Sequence, residues 1–261
     1  MLRLSPLYSL FPDWWLAMKH ALPRTLRAII TQPGLLLRPS ALSRLFFSFV
    51  WEKFAPLVDE GGREVKEMLV RPHAYGVVLD IGAGHGHTIP YLDRTRITKY
   101  VAVEPNVRMH SEIRDMAQKH GYSADECIVL SCGAEDSDVI AATLGGEHRV
   151  DTIVSILTLC TVPNPKAVAS ALTKNVLKSG GQFLWYEHIA NPLPDVQAWQ
   201  RWLTPLWAAA FDGCRLDRDT PAILLSAGAW SATDMWDKPG EVKADNMFWH
   251  QVGRFLKAHD H

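Results

Sequence analysis

The sequence has few cysteines, and they follow no pattern. The four in 261 residues are Cys127, Cys132, Cys160 and Cys214, with no CxxC pair among them. A disulfide framework or a cysteine-rich zinc site needs closer and more regular spacing. The acidic residues and histidines show no convincing metal-ligand spacing either. We therefore expect reduced thiols, an intracellular, cytoplasmic protein and no bound metal.

Long apolar runs are also missing. The longest stretches without a formal charge, residues 152–165 and 220–233, have 14 residues each. A membrane-spanning helix needs roughly 18. Pro6, Pro12 and Asp13 would interrupt the apolar core of a signal peptide. The sequence thus predicts neither a spanning helix nor a cleaved leader.

Net charge is nearly absent, at -1, but the charges are unevenly spread. The balance gives no reason to expect a nucleic-acid partner. Residues 1–50 carry six basic side chains and one acid, together with many large apolar side chains. This segment suits either a lid that packs on the core or a surface that touches a membrane. Its prolines predict only short helices within residues 1–42.

Regular elements are predicted from residue 43 onward. Residues 43–70 are predicted to be helical, with Ser43 as a cap and an interruption at Gly61–Gly62. Short apolar strands and helices then alternate, which is typical of βαβ units and a parallel sheet. The predicted strands are 77–79, 100–103, 128–130, 152–156, 183–186, 230–236 and 248–256. The predicted helices are 106–120, 136–144 and 165–177, the last stopped by Gly180–Gly181.

The domain organisation follows from these patterns. We expect an N-terminal helical lid or cap over residues 1–70 and one domain over 71–261, with a helical insertion at about 190–228. In the insertion, large apolar side chains recur at helical spacing: Trp199, Trp202, Leu203, Leu206, Trp207, Ala210 and Phe211. Such a stripe belongs either to the core or to the wall of an acceptor pocket.

The strongest sign of function is the segment Val78–Gly86, where a buried strand leads into alternating glycines and then a predicted helix. Glycine is needed where the backbone turns sharply or approaches a ligand. At the end of the first strand of a doubly wound sheet, such a loop binds ligands. A dinucleotide fingerprint would place its third glycine where His87 stands, but the glycine comes one residue earlier. The spacing therefore disfavours NAD(P).

Two later strand ends carry groups that suit a nucleoside. Glu104 lies about 20 residues beyond the loop, where a carboxylate accepts hydrogen bonds from ribose hydroxyls. The alternative is a surface acid at a strand end. After the next strand, residues 133–135 can frame an adenine edge, although Glu135 could simply favour a helix start.

The order of these segments resembles that of class I S-adenosylmethionine (SAM)-dependent methyltransferases across residues 75–190. The segments are VLDIGAGHG, VAVEPN, CGAED, VDTIVSILTLCTVPNP and VLKSGGQFLWYEHI. More narrowly, residues 157–162, 187–188, 211–214 and 252–254 are similar to the membrane-associated alkyl-thiol methyltransferase group (methyltransferase-like protein seven) and its fungal and bacterial relatives.

The resemblance implies an α/β fold with a Rossmann-like, doubly wound, mostly parallel seven-stranded sheet and helices on both faces. It also implies SAM as the cofactor. Asp80, Gly82 and Gly84 would hold the methionine part, Glu104 the ribose, and Leu157 would border the methyl donor. The implied cofactor-binding residues are Asp80, Gly82, Ala83, Gly84, Glu104, Pro105, Asn106, Gly133, Ala134, Glu135 and Leu157.

The acceptor side is less determined. In methyl transfer the cofactor supplies the reactivity and the protein supplies position. A thiol already ionises partly near neutral pH, whereas a phenol or amine benefits from a base. His188 is the candidate base, or else a hydrogen-bonded structural residue, and His85 and His87 are expected to be loop residues. The predicted pocket comprises Trp199, Trp202, Trp207 and Cys214, with a turn around Gly213 as the alternative role of Cys214.

We therefore expect methyl transfer to a small, rather apolar acceptor, most readily a thiol. The alternatives are O- or N-methylation of a secondary metabolite or lipid, and a non-catalytic SAM-binding protein. Residues 155–158 do not form an Asp/Asn-Pro-Pro-aromatic loop, so amino methylation of nucleobases or glutamine is not expected. The expected partner is a small molecule and not a nucleic acid. Peripheral membrane contact through residues 1–42 remains the alternative to a lid.

Overall fold

The computed structural model describes residues 3–259, which form two compact units. The sheet unit comprises Gly62–Glu187, Asp219–Pro239 and the segment from His250 onward. The helical unit comprises the segment through Gly61, His188–Arg218 and Gly240–Trp249. The helices are α1 Ser5–Thr31, α2 Pro39–Gly61, α3 Arg63–His73, α4 His110–Lys119, α5 Ser137–Thr143, α6 Pro165–Ala171, α7 Pro194–Ala210 and α8 Thr220–Leu225.

One seven-stranded sheet organises the sheet unit. Its strands are β1 Gly76–Ile81, β2 Ile97–Val103, β3 Cys127–Leu130, β4 Val150–Ile156, β5 Leu177–His188, β6 Trp230–Asp237 and β7 His250–Lys257. Their spatial order is β3-β2-β1-β4-β5-β7-β6. The pairs from β3 to β5 are parallel, and β6 and β7 form an antiparallel pair. The predicted Rossmann-like, mostly parallel fold is confirmed.

Alternating side chains of the central strands enter two different cores. Leu79, Ile153 and Phe183 belong to one buried cluster, whereas Val78 and Val154 belong to the other. Helices therefore cover both faces of the sheet, and its inner strands are buried on both sides. This double burial explains the apolar run Val77–Leu79 in β1 and the adjacent apolar pair Ile153–Val154 in β4.

Two predicted details of the sheet unit are wrong. Gly180–Gly181 does not end a helix but lies inside β5, which starts at Leu177. The pairing with β4 is irregular there, and Gly180 has φ +72°, a backbone conformation that glycine tolerates. The glycine loop after β1 leads into a short 3₁₀ turn at Ile89–Tyr91 rather than a helix. Gly84 and Gly86 both have positive φ, so helical geometry begins only after them.

The N-terminal segment is also more regular than predicted. Instead of short helices, residues 5–31 form a single helix of 27 residues, with Pro12 and Pro23 inside it. A proline inside a helix removes one backbone hydrogen bond and costs about 3 kcal/mol. Both prolines are on the exposed side, where water can solvate the released carbonyls. The opposite side packs Ala17 and Ala21 against α2, and this packing offsets the cost.

Two small cores hold the helical unit together. The first joins α1, α2 and the end of α7 through Ala17, Ala21, Phe46, Val50 and Phe211. The second comprises Leu10, Val196, Leu216 and Met247. No helix within residues 3–259 is long and apolar enough to cross a membrane.

Polar groups fix the connections of this unit. The fully buried Gln200 of α7 accepts a hydrogen bond from the Asn191 amide at 2.7 Å and donates to the carbonyls of Ile189 and Met247. The predicted cap Ser43 lies inside α2, because the helix starts at Pro39. Its hydroxyl accepts a hydrogen bond from the Asp212 amide at 3.0 Å instead.

Candidate active site

The glycine loop lies at the carboxyl edge of the sheet, where parallel α/β folds bind their ligands. Gly82 has φ +65°, and its amide donates to the Val103 carbonyl at 2.8 Å. A Cβ atom at this position would lie 2.4 Å from the side chain of Thr158. The loop is therefore held against the ends of both neighbouring strands, and only glycine fits there.

Glu104, directly after β2, fastens this loop. Its side chain is 6% exposed, so it is not a surface acid. Oε2 accepts a hydrogen bond from the Gly84 amide at 2.9 Å, and Oε1 accepts one from the Asn106 amide at 2.8 Å. A carboxylate oxygen can accept more than one hydrogen bond. The group is thus fixed in place and can also accept ribose hydroxyls.

Asn106 contributes an unused donor at the same strand end. Its side chain is 5% exposed, and Oδ1 accepts a hydrogen bond from the Arg108 amide. Nδ2 is buried without a hydrogen-bond partner among residues 3–259. A buried donor that lacks a partner costs free energy unless a ligand or water satisfies it. An adenosine moiety, with several acceptor atoms, could accept a hydrogen bond from this donor.

The turn after β3 is held by its own side chains. The Gly133 amide donates to Asp136 at 2.9 Å, and Ala134 is buried. The Glu135 carboxylate lies back over Gly133, where a Cβ atom would come within 2.3 Å of it. Burial, followed by the charges of Asp136 and Glu135, raises the pKa of the Cys132 thiol to about 11. This thiol is therefore protonated and unreactive near neutral pH.

Leu157, which follows β4, has a strained backbone. Its φ is +54°, in the left-handed region that residues with a Cβ atom avoid. Its amide donates to the Tyr186 carbonyl at 2.8 Å. The next two amides, of Thr158 and Leu159, donate to the carboxylate of Glu187. Strain of this kind clusters at ligand sites.

Asp80, near the end of β1 and just before the glycine loop, is a buried acid. The side chain is 1% exposed, and the Tyr100 hydroxyl donates to Oδ2 at 2.6 Å. Burial raises the pKa of the Asp80 carboxyl to about 6, against the opposing effects of the Tyr100 and Thr88 hydroxyls and the Lys66 ammonium. Lys66, 3% exposed, donates to the His87 carbonyl at 3.3 Å. The sequence singled out Asp80 but neither Tyr100 nor Lys66, because long-range pairing brings them together.

The raised pKa of Asp80 predicts a pH-dependent stability. The folded protein holds this proton more tightly than the unfolded chain, whose carboxyl has an ordinary pKa of 3.8. The carboxyl therefore contributes stability below about pH 4, and the contribution is lost as the pH rises through about 6. Relative to Asp80→Asn, the parent should lose roughly 3 kcal/mol of unfolding free energy across this window. Urea unfolding of both proteins measures it, and parallel pH profiles would contradict it.

The candidate base, His188, is the last residue of β5 and the first residue of the segment His188–Arg218 of the helical unit. His188 is 5% exposed, its Nε2 lies 3.3 Å from the Cys214 sulfur, and its ring packs edge-on against Phe248. The turn expected around Gly213 is present, with φ +87° at this glycine and the Cys214 amide bonded to the Phe211 carbonyl. His85 and His87 lie in the glycine loop with their ring centroids 6.2 Å apart. The structure thus pairs two residues that were predicted separately, His188 and Cys214.

The three tryptophans of α7 have different surroundings. Trp207 stacks on Phe211 with 4.0 Å between ring centroids. It also lines an apolar cavity of about 200 Å³ with Leu7, Leu10, Phe11, Trp14, Leu203 and Leu206. The Trp199 indole donates to the Arg3 carbonyl at 2.6 Å. Trp202 is 70% exposed, so a core role is wrong for it.

Comparison with known proteins identifies the family. A family described as "Methyltransferase domain" matches residues 51–220. Thiol S-methyltransferase TMT1B of Homo sapiens is 28% identical over 182 residues, which are 69% of this chain and 70% of the human protein. TMT1B of Rattus norvegicus is 28% identical over 144 residues, 55% of each chain. The chain thus spans little more than half the length of the rat protein.

Solved structures share the fold at low sequence identity. An O-methyltransferase family protein from Burkholderia thailandensis matches with a TM-score of 0.60 and 13% identity, over 98% of this chain and 71% of that one. A SAM-dependent methyltransferase from Thermotoga maritima matches with a TM-score of 0.54 and 17% identity, over 79% and 94%. These matches show the fold, and the family match over residues 51–220 shows that the chain belongs to the methyltransferase domain family and is a SAM-dependent methyltransferase.

Proposed function

We propose that this enzyme transfers the methyl group of SAM to the thiol of a small, rather apolar acceptor. The observation that carries the proposal is the similarity to proteins named thiol S-methyltransferase, in matches that reach 182 residues of this chain. S-, O- and N-methylation share one cofactor and one fold, so the choice of acceptor atom depends on the chemistry around the site.

The residues of the sheet unit fit SAM. The cofactor supplies an electrophilic methyl group on sulfur, so the chain has to bind and orient it. We propose that the backbone of Gly82, Ala83 and Gly84 borders the methionine part. Glu104 would accept the ribose hydroxyls, and the buried Nδ2 of Asn106 would donate to the nucleoside. Leu157, directly after β4, would border the methyl donor.

The acids at the strand ends support a thiol acceptor because all three already hold structural contacts. Asp80 accepts a hydrogen bond from the Tyr100 hydroxyl, and Glu104 accepts hydrogen bonds from two backbone amides. Glu187 accepts hydrogen bonds from two backbone amides and a hydroxyl. Their placement suits positioning rather than removal of a proton from a phenol or amine. A thiol needs less help, because part of it is ionised near neutral pH. His188 is the proposed acceptor of the remaining proton.

An acceptor screen with methyl-deuterated SAM tests this proposal. We expect an alkyl thiol to be methylated with kcat/KM at least about tenfold above its matched alcohol and amine, a difference of about 1.4 kcal/mol in activation free energy. Mass spectrometry identifies the labelled product and the atom that carries the label. Because His188 is the proposed base, His188→Gln should lose more activity at low pH, where the thiol is protonated, than at high pH.

Three other outcomes would redirect the proposal. Preferred labelling of oxygen or nitrogen would favour O- or N-methylation of a metabolite or lipid. SAM binding without transfer to any acceptor class would favour a non-catalytic SAM-binding protein. Equal losses in His188→Gln at low and high pH would assign His188 a structural role only.

We further propose that α1 contacts a membrane surface. Large apolar side chains recur along one exposed side of this helix: Tyr8 72% exposed, Phe11 65%, Trp15 61%, Leu26 50% and Ile30 78%. Lys19 and Arg27 add positive charge. Soluble proteins rarely expose so large an apolar patch, and an amphipathic helix with basic residues suits the interface of a bilayer.

A further inference from the structure

Glu187 has more contacts than a residue at a strand end needs. It lies near the end of β5 and is completely buried. Its Oε1 accepts three hydrogen bonds, from the Ser155 hydroxyl at 2.7 Å and from the Thr158 and Leu159 amides at 3.0 Å each. A buried carboxylate is costly unless it is well hydrogen-bonded. The three hydrogen bonds offset this cost and fix the carboxylate in one position.

The two amides that donate hydrogen bonds to Glu187 belong to Thr158 and Leu159. They directly follow Leu157, and the φ of Leu157 is +54°. Successive amides next to a left-handed residue form a concave pair of donors that suits an anion. Here the anion is the side chain of the chain's own Glu187. On the other side of Leu157, the Ser155 hydroxyl reaches the same oxygen. Glu187 thus holds the backbone on both sides of a residue in an unfavourable conformation.

Thr158 connects Glu187 to the glycine loop, because its amide bonds to Glu187 and its side chain contacts the end of β1. Its hydroxyl donates to the Ile81 carbonyl at 2.9 Å, at the last residue of β1. Its side chain also occupies the space beside Gly82, 2.4 Å from where a Cβ atom would stand. A shift of Thr158 would therefore move the loop that is expected to hold the cofactor.

We infer that Glu187 is a positioning residue of the cofactor site. Its carboxylate holds Leu157 in the left-handed conformation and fixes Thr158 against the glycine loop, so that both strand ends are preorganised for SAM. The inference rests on the proposed placement of Leu157 beside the methyl donor. Glu187 acts through these neighbours and takes no proton from the acceptor.

A double-mutant cycle tests the inference. Glu187→Gln keeps the shape but replaces a charged acceptor by a weaker neutral one, so we expect the Kd for SAM to rise about tenfold. Glycine adopts positive φ without strain, so in Leu157→Gly the Glu187 carboxylate is no longer needed to hold residue 157 in the left-handed conformation. We call this hold of Glu187 on Leu157 the clamp. In the Leu157→Gly background, Glu187→Gln should therefore raise the Kd less than about threefold. Calorimetric titration with SAM below the unfolding temperature measures all four proteins.

Two matched comparisons keep the test independent of folding. Gln182, also fully buried on β5, forms hydrogen bonds with Thr152 of β4 and Arg254 of β7. Gln182 precedes Glu187 along β5, and Thr152 precedes Ser155 along β4, so this pair lies further from the carboxyl edge of the sheet. Gln182→Leu should lower the unfolding temperature and leave the Kd for SAM unchanged. Should Glu187→Gln not fold, Thr158→Val and Thr158→Ser replace it, because only valine removes the hydroxyl. Valine should then raise the Kd, and serine should not.

Distinct results would overturn the inference. An equal increase in Kd in the Leu157 and Leu157→Gly backgrounds would mean that Glu187 does not act by holding Leu157 in the left-handed conformation. An unchanged Kd in Glu187→Gln would mean that the clamp does not affect the cofactor. An unchanged Kd in Glu104→Ala, measured alongside, would instead locate SAM elsewhere and remove the basis of the inference.

Discussion

Glu104→Ala is expected to weaken SAM binding by about 1.5–3 kcal/mol, the range for hydrogen bonds to a charged group. The substitution removes the proposed acceptor of the ribose hydroxyls. It also releases the Gly84 and Asn106 amides, which the carboxylate holds at 2.9 and 2.8 Å. Because the loop loses its fastening together with the ribose contact, the effect should be one of the largest from any single side chain. Titration calorimetry of both proteins measures it.

Glu126 offers a matched control for this substitution. It is an acid of the same unit, and it accepts hydrogen bonds from the Ser123 amide and from Arg94. These bonds lower the pKa of Glu126 to about 2. It precedes β3 and so lies at the opposite ends of the strands from the glycine loop. Glu126→Ala should leave SAM affinity unchanged, whereas a Glu104→Ala protein with parental affinity would show that the ribose is held elsewhere.

Deletion of residues 1–42 is expected to lower methyl transfer by about tenfold or more while SAM binding persists. The deletion removes α1, which contributes Leu10, Ala17 and Ala21 to the two cores of the helical unit. It also removes one wall of the apolar cavity beside Trp207. The proposed acceptor residues Trp207 and Cys214 belong to this unit, whereas the sheet unit contains every proposed SAM contact. Rates with SAM and a soluble thiol measure the loss.

Point variants separate this role of α1 from membrane contact. Tyr8 and Trp15 are 72% and 61% exposed and lie outside the lining of the cavity beside Trp207, so Tyr8→Glu and Trp15→Glu should fold normally and keep turnover on a soluble thiol. They should reduce sedimentation with anionic liposomes, because they place charge on the apolar side of α1. Trp202→Glu, at an equally exposed position on α7, is the matched control. A truncated enzyme with full turnover on a soluble acceptor would limit α1 to membrane attachment.

The central sheet could be predicted from sequence because its signals are local. A buried strand followed by alternating glycines marks β1 and its loop, and the acid after the next apolar run marks Glu104. Both were predicted from a few adjacent residues. Burial on both faces makes the centre of β1 a continuous apolar run, Val77–Leu79, that is easy to recognise. The confirmed fold class therefore rests on patterns shorter than ten residues or so.

The missed features depend on partners that are distant in sequence. The prolines of α1 predicted short helices, but packing against α2 outweighs the local preference. Trp202 follows the periodicity of the α7 stripe and is nevertheless exposed, because one helical face can be wider than the surface that covers it. The bond between Tyr100 and Asp80 and the clamp of Glu187 on Leu157 need the register of paired strands. No spacing in the sequence encodes that register.

The central claim is that the glycine loop and Glu104 bind SAM. Its most direct test is calorimetric titration of the unmodified protein with SAM, with S-adenosylhomocysteine and with NAD(P). We predict one site per chain, with micromolar affinity for SAM and its demethylated product, about -8 kcal/mol, and no heat with NAD(P). Binding of NAD(P) without any heat from SAM would contradict the account.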